Sequence, residues 1–311
     1  MTSEAIVQVH DLTHRYGERV ALAAVCFHVP RGELFGLLGP NGGGKTTLFR
    51  ILSTSVPPQA GTVQIGGDDI VARRNLIRRR IGVVFQAPSL DRELTVAENL
   101  MHQGHLYGLH GAPLTVRIAE SLARFGLADR AADRVKTLSG GLRRRVELAK
   151  SLLHQPSVLL LDEPSTGLDP LARRELTDHL RQLCRTDGVT VLLTTHLMEE
   201  AEQCDRLAVL DRGKLVALAA PAALKEQIGG DVIVVEAREP EPLREQIRAR
   251  FGVAATVLNG TLRLERAAGH RFVTELVEAF PGQIQAVHVG KPKLEDVFVH
   301  LTGHRFEEGE P

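Results

Sequence analysis

Tryptophan is missing from this 311-residue chain, and tyrosine occurs twice. Its three cysteines, Cys26, Cys184 and Cys204, are scattered and odd in number. They give neither a disulfide framework nor a metal-ligand spacing, which points to a reducing compartment. Charge of one sign is lacking too. Lys plus Arg and Asp plus Glu both count 38, so no global field draws the chain to nucleic acid or to an anionic membrane. A basic stretch, Arg73-Arg74 and Arg78-Arg79-Arg80, has no interleaved aromatics and reads as a solvated helix face. Long apolar runs are absent. The most apolar tract, Leu215 to Leu224, is short and broken by Pro221, whereas a bilayer span needs about 18 apolar residues. Any membrane process served by this chain therefore needs another chain to do the spanning. The opening Met1-Thr2-Ser3-Glu4 is not that of a secretory signal.

Enough apolar sequence remains for full cores. Hydrophobic residues make up 43% and charged residues 24%, the balance of a soluble globular protein, and the length suits two domains. Glycine is concentrated in Gly39-Pro40-Asn41-Gly42-Gly43-Gly44-Lys45-Thr46-Thr47. This fits the phosphate-loop pattern G-x-x-x-x-G-K-[ST]. The glycines let the backbone curl until several N–H groups point into one concavity, which binds an anion. A helix leaving near Lys45 adds its positive end. Lys45 would reach β- and γ-phosphates and the Thr46 hydroxyl would ligate Mg²⁺. Glu33 to Leu38 reads as the buried strand feeding the loop, and Lys45 to Ser53 as the helix leaving it.

Elsewhere the chain alternates apolar strands and helices, which argues for an α/β core. Ala5 to Val9 and Val20 to Val29 read as strands, with His14 to Gly17 a turn between them. Thr95 with Glu98 forms a capping box before a helical stretch that runs to about Leu127. Leu138-Ser139-Gly140-Gly141 precedes another helix, and Ser hydroxyl plus glycine N–H groups there make a second phosphate-binding helix start. Val158 to Asp162 is an apolar strand ending in a carboxylate, where a P-loop fold organises its Mg²⁺. Glu163 follows, able to polarise or deprotonate an attacking water. Gly229-Gly230 marks a break. Beyond it the order is β-α-β-β-α-β, as in ferredoxin-like domains.

The constellation resembles the nucleotide-binding subunit of an ATP-binding cassette transporter over residues 5 to about 220. The resemblance implies Walker A at Gly39 to Thr47, an adenine-stacking Tyr16, a Q-loop Gln86 and a signature at Leu138, Ser139, Gly140 and Gly141. It further implies Walker B ending at Asp162, the catalytic Glu163, a D-loop region at Ser165 to Asp169 and a switch histidine at His196. Lys45, Glu163 and His196 would be catalytic. Thr46, Gln86 and Asp162 would hold Mg²⁺, and ATP would lie between Walker A of one copy and the signature of a second in a head-to-tail dimer. Leu142 stands where the family usually has Gln, and Gly43 where Ala or Ser is common; neither removes a phosphate contact. Read alone, Tyr16 is also a plain turn aromatic, Gln86 a strand end, His196 a core histidine, and Ser139 and Gly141 a cap and a turn.

The implied fold is an α/β P-loop NTPase cassette over residues 1–229, a RecA-like core with an antiparallel β subdomain and a helical subdomain near 87–155. An α+β ferredoxin-like accessory domain over 230–305 and a disordered tail over 306–311 follow. The accessory domain and its ending, Leu294-Glu295-Asp296-Val297-Phe298, resemble multidrug and antibiotic exporters whose permease is a separate, ABC-2-type membrane chain. The subunit would then be cytoplasmic and peripheral on the inner face of the membrane. Two other readings compete. A ribosome- or DNA-linked cassette ATPase usually carries two cassettes or a coiled-coil insertion. Here residues 231–311 hold 10 basic and 13 acidic side chains, no nucleic-acid arm. An importer ATPase would more often append a β-rich barrel. Glu295, Asp296 and Phe298 are expected as contacts of the last helix with a partner, the alternative being that Val297, Phe298 and Leu301 pack it onto its own sheet.

Overall fold

The computed structural model describes residues 5–306, which fall into two compact units, 5–218 and 219–306. In the first, β1 (Ala5–Tyr16) and β2 (Arg19–Pro30) are a long antiparallel pair. β3 (Leu34–Leu38) runs into the glycine loop and α1 (Lys45–Leu52) leaves it. β4 (Ala60–Ile65) and the short β5 (Asp68–Asp69) complete a four-stranded sheet in the order β2-β1-β4-β5. After α2 (Arg74–Arg80) and β6 (Ile81–Val84) come three helices, α3 (Val96–Leu106), α4 (Gly111–Arg124) and α5 (Gly140–Leu152). The expected Thr95–Glu98 capping box opens α3, with both reciprocal bonds made. β7 (Val158–Asp162), α6 (Pro170–Asp187), β8 (Thr190–Thr195), the single-turn α7 (Met198–Ala201), β9 (Arg206–Asp211) and β10 (Lys214–Ala219) follow.

The second sheet runs β10-β9-β3-β8-β7-β6, and the pairs from β6 to β9 are parallel. Every residue of β3, β7 and β8 is buried. That is why they read as unbroken apolar runs: both sheet faces are covered. Phe27 of β2 stacks on Phe35 of β3 with ring centroids 5.5 Å apart, so the two sheets share one core.

Three expectations in this unit change. His14 to Tyr16 is strand, not turn. β1 continues to Tyr16, opposite Arg19. Its register slips between Val9 and Leu12 and again around His14. Asp11 takes a left-handed φ of 48°. Such bulges break the two-residue alternation on which a strand is recognised. The basic stretch of α2 is not merely solvated. Arg78 Nε donates to Thr54 Oγ1 at 2.8 Å and Arg74 Nη2 to Thr54 O at 3.2 Å. Arg80 pairs with Asp68 at 2.6 Å. The arginines pin the turn after α1, where Thr54 has a φ of 61°.

The third concerns the boundary, which lies at 218/219 and not at 229/230. α8 (Pro221–Glu226) buries Pro221 and Leu224 and packs on the last helix of the second unit. Gly229-Gly230 is therefore inside that unit. Gly230 is a close crossing, since a Cβ there would lie 2.3 Å from the Arg266 carbonyl carbon.

The rest of the second unit is β11 (Asp231–Ala237), α9 (Pro240–Phe251), β12 (Ala255–Leu258), β13 (Thr261–Arg266), α10 (Gly269–Ala279), β14 (Ile284–Gly290) and α11 (Leu294–Thr302). The sheet order is β12-β13-β11-β14, antiparallel throughout, which is the ferredoxin-like arrangement. Leu243 and Ile247 of α9 and Phe272 and Leu276 of α10 bury against Ile233, Val235, Leu262 and Leu264. On α11, Phe298 is buried. Asp296 bonds Arg263 and caps its own helix through Lys293 N at 2.6 Å. The expectation that Asp296 and Phe298 face a partner is thus corrected; they hold α11 to its own domain, and Glu295 alone of the three is exposed. The tail expected over 306–311 begins with Phe306, which packs edge-on against Phe298 at 4.9 Å; the remainder lies outside the described residues.

Candidate active site

Parallel register brings the motifs to one edge. Leu38 pairs with Thr195, Thr194 with Asp162, and Leu161 with Val84. The loop after β3, the carboxylates at the end of β7, His196 after β8 and Gln86 after β6 therefore leave the sheet side by side. Ligands of open α/β sheets bind at this carboxyl edge.

The glycine loop is built by close approach. A Cβ on Gly39 would sit 2.4 Å from Leu210 O, and Gly44 has a φ of 111° with Ala21 O 2.7 Å from a virtual Cβ. Only glycine fits at either. Lys45, 5% exposed, turns back into the loop, and its Nζ donates to Gly39 O at 2.6 Å and Pro40 O at 3.0 Å. Burial lowers its pKa, while the nearby Glu163 and Asp162 carboxylates pull the other way. Beside the loop is a cleft of about 220 Å³, lined by Tyr16, Arg19, Asn41, Thr46, Thr47, Arg50 and Glu163 among others. Pro40, Gly42, Gly44 and Lys45 line it as well. Three cations, Arg19, Lys45 and Arg50, and the start of α1 face one carboxylate, an arrangement that favours a polyanion. Tyr16 stands at the rim, 46% exposed.

Asp162 is buried and accepts a hydrogen bond from Thr194 Oγ1 at 2.6 Å; burial raises its pKa and this bond opposes the rise. Glu163 has a left-handed φ of 45°, a strained state for a side chain of this kind. The strain is held by two bonds from its N–H, to Thr194 O at 3.2 Å and Thr194 Oγ1 at 3.0 Å. Its carboxylate accepts from Gln86 Nε2 at 3.1 Å and from Thr166 Oγ1 at 3.4 Å. His196 Nδ1 lies 3.3 Å from Glu163 Oε1, within ion-pair reach but off line for a hydrogen bond.

Ser139, Gly140 and Gly141 are not brought to this cleft. Ser139 Oγ caps α5 through Leu142 N at 3.3 Å. Ser139 and Gly140 are exposed, and a Cβ on Gly140 would meet nothing within 4 Å. The start of α5 is an open surface.

Sequence reading missed Thr194 and Arg144. Thr194 looked like the polar end of an apolar strand; its link to Asp162 and Glu163 depends on the β7–β8 register. Arg144 is the middle of three consecutive arginines and is 8% exposed. The one available signal was Glu147 three residues on, the same helix face.

Comparison with known proteins decides the family. Residues 22–166 match the family model described as ABC transporter. The daunorubicin resistance ATP-binding protein of Streptomyces coeruleorubidus is 41% identical over 97% of this chain and 97% of its own length. The chain belongs to the ABC transporter family. The Nod factor export ATP-binding protein I of Paraburkholderia xenovorans is 39% identical over 98% of this chain and 99% of its own. Among solved structures, cbiO1 of Clostridium perfringens, part of an ABC transporter complex, superposes with a TM-score of 0.68 at 26% identity, over 80% of this chain and 97% of that one. As an ABC transporter ATPase of the exporter type, the chain binds and hydrolyses ATP to energise export. Among the described residues no helix is long and apolar enough to cross a membrane.

Proposed function

We propose that two copies of this chain hydrolyse Mg-ATP in a head-to-tail pair and pass the motion to a separate membrane permease. The observation that carries this is the separation of the two phosphate-binding helix starts. The loop of α1 lines a cleft with Glu163, while the start of α5 points into open space. A second copy would supply its Ser139, Gly140 and Gly141 to this cleft and receive ours in return. The relatives' names, one for daunorubicin resistance and one for Nod factor export, support outward transport. On this reading the chain sits on the inner face of the membrane, held there by the permease.

The residues take these roles. The backbone N–H groups of Gly39 and of Asn41 to Thr47, with the Lys45 ammonium, hold the β- and γ-phosphates; the present partners of Lys45 are neutral carbonyls. Thr46, Gln86 and Asp162 offer a hydroxyl, an amide oxygen and a carboxylate, hard oxygen donors that suit Mg²⁺. The amide nitrogen of Gln86 is given to Glu163, so its oxygen is the end left for a cation. When bound, Mg²⁺ neutralises phosphate charge. Glu163 accepts a proton from the attacking water or orients it, and His196, beside it, contacts the γ-phosphate. Positioning and charge neutralisation are most of what phosphoryl transfer requires. The purified chain should release phosphate from ATP with Mg²⁺ and stop when EDTA removes the cation. Release indifferent to EDTA rejects the oxygen donor set.

Tyr16, at the rim, would stack on the adenine. Tyr16→Ala should weaken ATP binding by ~1–3 kcal/mol, the range for a base–aromatic stack. Tyr16→Phe should restore it, because the ring and not the hydroxyl makes the contact. Calorimetry decides; equal losses in both variants remove the stacking role.

A further inference from the structure

The three consecutive arginines of α5 do three different things. Arg143 Nη1 donates to Leu138 O at 2.6 Å, within its own loop. Arg145 pairs with Glu175 of α6. Arg144 turns inward, toward the catalytic edge. Its Nε donates to Pro164 O at 2.7 Å and its Nη2 to Glu163 O at 3.2 Å. Its Nη1 donates to Phe85 O at 3.1 Å and to Glu147 Oε2 at 2.7 Å. A planar guanidinium with five fixed N–H donors can reach three carbonyls and a carboxylate at once; an ammonium on a flexible stem cannot. Glu147, one turn on, neutralises the buried charge. Its other oxygen accepts from Ser89 N at 2.9 Å.

These contacts close a ring. Phe85 O and Glu163 O are the backbone carbonyls beside Gln86 and at Glu163, and the two side chains are bonded to each other at 3.1 Å. Arg144 holds the backbones of both from one side. Together with Glu147 it grips the segment 85–89 at each end. α5 begins with Ser139 to Gly141, so a shift of that helix start is carried to Glu163 and Gln86 through one side chain.

We propose that Arg144 is a positioning residue for ATP hydrolysis, making the placement of the Glu163 carboxylate and the Gln86 amide depend on where the signature helix stands. This rests on the reading of Glu163 as the hydrolytic carboxylate. Binding of ATP to the glycine loop does not pass through Arg144, so affinity and turnover should separate.

The test is Arg144→Lys, which keeps the charge and removes the fork. Turnover should fall roughly 10–100-fold, the cost of a small misplacement at a reacting centre. ATP affinity by calorimetry and the thermal midpoint should stay near those of the parent. In a double-mutant cycle with Gln86→Ala the Arg144→Lys loss should shrink, because the ring is already open. Glu147→Gln, which keeps shape and removes the counter-charge, should lower turnover in the same direction and serves if Arg144→Lys does not fold. Unchanged turnover overturns the proposal. So do losses of turnover, affinity and thermal midpoint in step, the sign of a purely structural brace, and so does full additivity in the cycle. Glu163→Gln is measured alongside. A normal rate there rejects Glu163 as the hydrolytic carboxylate, whereas a normal rate in Arg144→Lys beside an inactive Glu163→Gln rejects only the role of Arg144.

Discussion

Glu163→Gln should bind Mg-ATP, gather as an ATP-bound dimer and go no further, with turnover lowered about 10²–10⁴-fold, the usual contribution of a positioned general base. At 1.36 kcal/mol per tenfold this is about 3–5 kcal/mol of lost transition-state stabilisation. The substitution is close to isosteric. The amide retains an oxygen that can accept from Gln86, and the backbone bonds to Thr194 that hold the φ of 45° are untouched. What is lost is the negative charge and the proton acceptor beside His196. Lys45 and the glycine loop are unaltered, so affinity should persist. Size exclusion with and without ATP, read beside phosphate release, checks both halves. Near-normal turnover would remove Glu163 from the chemistry.

Gly141→Asp should abolish hydrolysis, by about 10²-fold or more if it cancels a stabilising donor at the γ-phosphate, while the monomer binds ATP as before. The position tolerates the side chain. A Cβ there meets only Ala172 Cβ at 3.4 Å, an ordinary contact. A carboxylate in the first turn of α5 also suits that helix's own dipole. The damage therefore falls on the neighbouring copy, whose γ-phosphate would face a like charge. Calorimetry on the monomer and phosphate release on the mixture separate the two effects. Weakened ATP binding by the monomer would mean that the signature loop works on its own chain's nucleotide.

None of the site residues named above lies in the second unit. Its cohesion comes from its own core, with α8 joined to α11 and Asp296 joined to Arg263. The charged and aromatic residues of Leu294 to Phe298 looked like a docking surface because a one-dimensional pattern does not reveal which face of a nine-residue helix is inward. Burial of Phe298 and the bond from Arg263 to Asp296 answer that for two of the three residues, and Glu295 is left at the surface.

The sequence alone determined what local geometry controls. The strand–loop–helix of Leu34 to Leu52 is written contiguously, glycines and then a lysine at the helix start, although the backbone that crowds Gly39 and Gly44 belongs to Leu210 and Ala21, far along the chain. The ferredoxin-like order of the second unit is legible for the same reason: each strand and helix carries its own period. Tertiary structure decided what depends on register and on distance along the chain. Thr194 acts on Asp162 and Glu163 across 32 and 31 residues because β7 and β8 lie parallel with ends flush. Arg144 meets Phe85 across 59 residues because α5 packs over the end of β6. No local propensity encodes either contact. Pairing of strands and burial of a charge are set by the whole core, and only the folded chain brings those atoms within hydrogen-bonding distance.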